Sequence, residues 1–587
     1  MSEMRRERDS LGVVEVPAGA MYGAQTARAV ENYPISGMRA SPFLIRAMGM
    51  VKKAAAEANG ELGVVSKERA GAIARAAGEV IDGKWDGEFV VDVFQAGAGV
   101  SFHMNANEVV ANRANQLVAG ARVRGRGKTN TEREDDAESG GGTKTNTGVL
   151  RSAQDDDKKG NDDAEGGSRG QVPGAKARFV SGRGMPGLKS RPISDAEVQD
   201  ADAEVRQADA EVRQADAVVR QADAEVRQAD AEVGEADAEV REAEREALGR
   251  YEWVHPNDHV NYGQSTNDVF PTAMRLGTLL ALEGLYPVLD SLAEGFALKG
   301  VEFDGVVKAG RTHMQDATPI RLGQEFAAYG VAIRKARESI ARAAEGLREL
   351  GLGGSAVGTG INTHPEYRVL AIRKLAVISG QRLEAASDMR WAMQSCGPMA
   401  EVSAALRGLA LEVIRIANDL RLMSSGPNTG LNEIAPPSLQ PGSSIMPGKI
   451  NPVLAELAAM VGFQVVGNDT AVAMAVQAGQ LELNVMMPTM AYNVLQSVSI
   501  LTNMLREFDT RCVRGITANA ARCAWYAQST VALATALNPY IGYAKAAELV
   551  KESVATGRSV IEIARERGVL SEEQIRKILD VGKMTGA

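Results

Sequence analysis

Residues 118–247 hold too little apolar bulk for a core, so any compact fold must be assembled from the two stretches on either side. The composition changes abruptly near 118. As far as about 193 the text is Gly, Asp, Lys, Arg, Ser and Thr, as in "TEREDDAESGGGTKTNTG" and "QDDDKKGNDDAEGGSRGQ". Such a segment cannot bury enough surface to offset its chain entropy, which predicts disorder over 118–193. From 194 to 247 the motif "ADAEVRQ" recurs with a period of seven. Val205, Val212, Val219, Val226 and Val233 alternate with Ala208, Ala215, Ala222 and Ala229 at spacings of three and four. That draws one narrow stripe along a helix, flanked by Asp and Glu. The stripe suits a coiled-coil arm that pairs with another copy, a solvated single helix, or a repeat expansion without a role.

The flanking stretches, 1–117 and 248–587, read as globular. "LIRAMGMVKKAAAEANGEL" and "PMAEVSAALRGLALEVIRIANDLRLM" carry apolar residues at helical spacing. Aromatic residues make up only 4%, and β-branched alternation is sparse and confined near the N-terminus. The pattern predicts an all-α core of long helices, most simply a bundle, followed by a smaller helical tail. In that tail Ser571 suits a helix N-cap, with Gln574 completing a capping box.

A net charge of −9 argues against nucleic acid as a partner. The chain lacks a run of about 20 apolar residues, so no membrane span is expected. The start "MSEMRRERDS" does not read as a signal peptide. Cys396, Cys512 and Cys523 lack metal-ligand spacing and suit buried thiols in a reducing, cytoplasmic compartment. Neither a zinc pattern among the five histidines nor a nucleotide-binding glycine motif is present, so neither metal nor cofactor is expected.

Four polar clusters sit where helices break. "PGSSIMPGKINPVLAE" packs Ser443, Lys449, Asn451 and Glu456 into a run with glycine and proline at both ends. It reads either as a loop with capping serines or as a flap that closes over a site. In the second case Ser443 could act as a base only with its alkoxide stabilised by a cation or backbone N–H groups. "GQSTNDVFPT" holds Ser265, Thr266 and Asn267 before a helix, suited to a plain N-cap or to an anion. "GRTHMQDATPIRLGQEF" offers Thr312 and His313, a structural histidine or an acid–base group. "FQAGAGVSFHMNANEVVANRA" places Ser101 after a Gly-rich turn. Together they suggest one small, polar, anion-binding site.

"GSSIMPGKINP" resembles the signature loop of the fumarase/aspartase superfamily. "HVNYGQSTNDVFPT", "GRTHMQDATPIRLGQEF", "AVGTGINTHPEY", "ANDLRLMSSGP", "GNDTAVA" and "AGQLELNVMMP" resemble further family segments, in the family order. "NPVLAE", "AGQLELNVM" and the start "LGVVEVPAGAMYGAQTARAVENYPISG" are most similar to the aspartate ammonia-lyase branch. "GINTHPEY" with His364 is closer to the fumarase branch, which keeps fumarate hydratase as the alternative.

The resemblance implies a tetrameric helical core whose sites each gather segments from three subunits, with a small dicarboxylate as substrate. The expected organisation is an N-terminal domain (1–117, ending with 248–265), the inserted segments 118–193 and 194–247, a central bundle (266–520) and a small helical domain (521–587). Carried over to this chain, Ser443 would be the base that takes the Cβ proton of L-aspartate, giving an aci-carboxylate. Lys449 and Asn451 would hold that carboxylate. Ser101, Ser265, Thr266, Asn267, Thr312 and His313 would hold the rest of the substrate, and Glu456 would pair with His313.

One departure stands out. Where the family reads Gly-Thr-Ser-x-Asn-Met-Asn, this chain reads Gly99-Val100-Ser101-Phe102-His103-Met104-Asn105. Val100 lacks the family hydroxyl, and a lost bond to a charged ligand costs about 1.5–3 kcal/mol, roughly ten- to over a hundredfold in binding. The chain is then a weakened lyase, a lyase with shifted substrate, or an inactive, scaffold-like relative; His103 either replaces the missing donor or only packs.

Overall fold

The sequence opens with a β-hairpin, β1 (Met4–Asp9) on β2 (Gly12–Pro17), where the sparse β-branched alternation lies. The computed structural model describes residues 3–138 and 195–586, and everything beyond the hairpin is dominated by helices. α1 (Ala24–Asn32), α2 (Pro42–Glu61) and α3 (Lys67–Ile81) lead to α4 (Val100–Glu138). α4 therefore continues through residues 118–138, where composition predicts disorder. Extending an existing helix needs no new nucleus, and Arg, Lys and Glu are good helix formers. The rest of the expected disordered segment, 139–193, lies outside the described residues, as does Ser194.

α5 (Asp195–Glu246) is one continuous helix. Val212, Val219, Val226 and Val233 along it are each about 60% exposed. The chain divides into two units, Ala121–Glu242 and the remainder.

The larger unit is an all-α bundle. Its long helices are α6 (Thr266–Glu302), α7 (Leu322–Ala344), α10 (Gly397–Met423), α11 (Val453–Gln477) and α12 (Met487–Arg511), with shorter α8 (Tyr367–Ser379) and α9 (Met389–Gln394) between α7 and α10. α6 packs on α2, α7 and α12, and α11 lies between α10 and α12. One hydrophobic core runs from Met21 to Ile516, so the N-terminal helices and the bundle share it. A second core gathers Leu533, Leu549, Ile563 and Ile575 in the C-terminal helices. There Ser571 and Gln574 form the expected capping box. Cys396, Cys512 and Cys523 are all buried free thiols, pushed up by burial to about 11, 12 and 11.

Two described helices, α6 and α11, are long and apolar enough to cross a membrane by length and composition. α6 is instead the spine of the core: every residue from Asp268 to Leu279 is buried. A second hairpin, β3 (Val307–Thr312) on β4 (Gln315–Arg321), interrupts the helices with a register shift between Ala309 and Arg311. The sequence reading missed it.

Candidate active site

The loop between Gly442 and Asn451 is clasped at its base. The Gly442 N–H donates to Lys449 O (2.8 Å), and Asn451 Nδ2 donates to Gly442 O (2.9 Å). A Cβ on Gly442 would lie 2.5 Å from Lys449 O and 2.9 Å from Asn451 N, so only glycine permits this closure. Within the loop, Ser443 Oγ accepts from two backbone donors, Ile445 N (3.3 Å) and Met446 N (3.1 Å). Two N–H dipoles aimed at one hydroxyl oxygen stabilise negative charge on it. Lys449 is exposed, and Glu456 is half-buried in the first turn of α11.

Thr312 and His313 occupy the tip of the β3–β4 hairpin. His313 and Met314 are the two central turn residues, both left-handed with φ of 55° and 61°. Tight hairpins need such angles, but glycine and asparagine are the residues that adopt them readily. A His-Met pair there is strained, and strain of this kind collects at functional sites. The hairpin is tied down behind its tip. Lys308 pairs with Glu433 (2.8 Å) and Glu325 (2.9 Å), and Arg311 pairs with Glu433 (2.8 Å) while lying over the Tyr526 ring. Thr312 and His313 remain exposed.

The third cluster is built on the start of α6. Ser265 is the N-cap: its Oγ accepts from Asn267 N (3.2 Å), and Asp268 completes the capping box. Asp268 Oδ2 also accepts from Gly353 N (2.9 Å) and Ser355 N (3.1 Å). Burial raises the Asp268 carboxyl to about 6 against those hydrogen bonds. Asn267 Nδ2 donates to Ala356 O (2.9 Å), so the Gly-rich 351–360 loop and the α6 N-terminus form one unit. Thr266 Oγ1 lies 2.7 Å from His103 Nδ1.

Sequence reading named His103 but missed the groups behind it. Lys52 is fully buried, with its Nζ 2.6 Å from His103 Nε2. It also donates to Gln264 Oε1 (2.9 Å) and Asn261 Oδ1 (3.2 Å). The available signal was a lysine within the apolar run "MGMVKKAAA" of α2.

Ser101 is buried in the first turn of α4. With Val100 it lines a cavity of about 600 Å³ that also borders Arg8 and Arg28, but Thr266 and Asn267 do not line it. The turn ahead of α4 is forced. Gly99 has φ of 80°, and a Cβ there would lie 2.1 Å from the Phe270 ring of α6. His364 Nδ1 accepts from Glu366 N (3.2 Å), a local turn contact.

The chain holds Ser265, Thr266 and Asn267 at the start of α6, and Ser443, Lys449 and Asn451 in one clasped loop that leads to Glu456 in the first turn of α11. Among the described residues, no hydrogen bond or ion pair joins the Ser443 loop or Glu456 to Thr312, His313 or the 265–267 segment.

Comparison with known proteins adds the following. A family model described as "Lyase" matches residues 12–134 and 190–467, leaving 135–189 unmatched. A second, described as "Fumarase C C-terminus", matches residues 533–586. An aspartate ammonia-lyase from Bacillus sp is 38% identical, covering 100% of this chain and 98% of that protein. A class II fumarate hydratase from Halobacterium salinarum is 40% identical, with coverage of 100% and 98%. Among solved structures, a "fumarate lyase:delta crystallin" from Brucella melitensis bound to cobalt superposes with a TM-score of 0.76 at 37% identity, with both chains fully covered. A class II fumarase from Schistosoma mansoni gives 0.75 at 29% identity, with 99% of each chain covered.

Proposed function

Because the chain belongs to the fumarase/aspartase superfamily of lyases, we propose that it is an aspartate ammonia-lyase, a carbon–nitrogen lyase converting L-aspartate to fumarate and ammonia. The observation that carries the mechanism is Ser443, whose Oγ receives two backbone N–H groups from its own loop. As an alkoxide it removes the Cβ proton. The electron pair spreads onto the β-carboxylate, held by Lys449 and Asn451. The Cα–N bond then breaks with its electrons going to nitrogen, so the ammonium group of the substrate leaves as neutral ammonia. Ser101, Ser265, Thr266, Asn267, Thr312 and His313 hold the remaining polar groups, with Glu456 paired to His313. Preorganised donors where charge develops, in a site closed to water, are what carbanion formation requires.

The reading includes a homotetramer with each site shared between subunits. Its support is that no hydrogen bond or ion pair among the described residues joins the three clusters within one chain, together with an exposed apolar stripe on α11. Leu457, Met460, Phe463 and Met474 are 37–61% exposed at helical spacing, a face that copies of the chain would cover. A reducing, cytoplasmic setting fits the three free thiols.

Fumarate hydratase is the second reading, favoured by His364 and by the Halobacterium relative. Fumarate release followed by ultraviolet absorbance, with L-aspartate and L-malate supplied separately, decides between them. Signal from aspartate alone is expected; signal from malate alone makes the chain a fumarase. Ser443→Ala should lower kcat by about 10²–10⁴-fold, the usual worth of a general base. An unchanged rate would remove Ser443 from the mechanism.

A further inference from the structure

His103 is held at both ring nitrogens: Lys52 meets Nε2 (2.6 Å) and Thr266 meets Nδ1 (2.7 Å). It is completely buried. Burial, and then the neighbouring Lys52, hold its pKa well below the usual histidine value against the opposing pull of Asn261, which favours the neutral ring. A neutral imidazole has one donor and one acceptor nitrogen, and here both are committed. Lys52 is itself fixed. Asn261 Nδ2 donates to Gln264 O (3.3 Å) and Gln264 Nε2 to Val260 O (2.9 Å), which turns both side-chain carbonyls toward the lysine. At the other end, the contact with His103 is the only side-chain hydrogen bond of Thr266 among the described residues. Thr266 is half-buried, at the first position of α6.

We propose that His103 is a positioning residue that holds the Thr266 hydroxyl in one rotamer for a dicarboxylate, with Lys52 and its two amide partners fixing the ring. The proposal rests on the reading of Thr266 as a substrate-binding group. A threonine at a helix start has more than one accessible χ1 well. The imidazole selects one, so the ordering cost falls on folding rather than on binding. Histidine does this differently from an amide at the same position. The terminal group of Asn lies where Nδ1 lies and reaches Thr266 but not Lys52. The terminal group of Gln lies near Nε2 and reaches Lys52 but not Thr266.

The test is calorimetric titration of the full-length protein with succinate, a dicarboxylate with no group to eliminate. Thr266→Ala and His103→Phe should each weaken succinate about tenfold, as loss of one hydrogen bond to a charged ligand does. The double variant should bind no more weakly than Thr266→Ala alone. His103→Asn should recover most of the affinity, and His103→Gln should not; these two polar variants carry the test should His103→Phe fold poorly. Wild-type affinity in His103→Phe, losses that multiply in the double variant, or His103→Asn as weak as His103→Gln would each overturn the proposal. So would wild-type protein to which succinate does not bind. Fumarate release decides the proposed reaction separately, since succinate binding needs no turnover.

Discussion

α6 and α11 look alike in sequence and differ in what surrounds them. Both are long and apolar, yet 67% of the most apolar window of α6 is buried and only 39% of that of α11. α6 is enclosed by α2, α7 and α12 of its own chain. α11 has neighbours on one side, α10 and α12, and turns Met460 and Phe463 outward. Hydrophobic content therefore tells which helices need cover, while the packing tells whether one chain supplies it. α5 gives a third case: its valines are exposed too, but they are smaller and bordered by acids, a far weaker driving force for association.

The comparison can be broken experimentally. The largest effect is expected from Met460→Glu with Phe463→Glu. Sedimentation velocity should show smaller species and fumarate release should fall to background; an unchanged sedimentation coefficient would remove α11 from any subunit contact. Leu282→Ala, inside α6, should instead cost roughly 2–5 kcal/mol of stability, read from thermal or denaturant unfolding. Asp268, in the first turn of α6, sharpens the contrast through pH. Its folded value of about 6 lies above the ordinary 3.8, so the native state binds the proton more tightly. Stability from this group is present at low pH and lost as pH rises from about 4 to 6, on the order of 3 kcal/mol. Thermal melts of wild type against Asp268→Asn should show that slope in the wild type alone. The smallest effect is expected on α5. Val219→Glu with Val226→Glu should leave sedimentation unchanged and stability within about 0.5 kcal/mol.

Helical periodicity made the bundle legible, because apolar residues at three and four spacing record one buried face. The Ser571–Gln574 cap was legible because its chemistry is local. The β3–β4 hairpin was not. "VKAGRT" and "QDATPIR" lack clean alternation, the ladder slips near Ala309, and the turn uses His-Met instead of the usual Asn-Gly. Lys52 was invisible for a different reason. A lysine in an amphipathic run reads as solvent-facing, and only the fold shows that Asn261 and Gln264, more than 200 positions away, turn their carbonyls to it. The continuation of α4 through Glu138 was hidden because composition reports burial, not the reach of a helix already begun. For the site, motif resemblance named each segment, but sequence alone could not show that, among the described residues, no hydrogen bond or ion pair joins the Ser443 loop to the other two.

The two N–H groups facing Ser443 come from Ile445 and Met446, members of the same clasped loop. In the proposed mechanism the serine oxygen and the dipoles that would stabilise its charge therefore travel as one body. Loop displacement then alters who meets the oxygen without altering how readily it ionises. Acidity and gating become independent variables: a substitution that slows loop motion should change the viscosity dependence of turnover and leave the shape of its pH profile where it was.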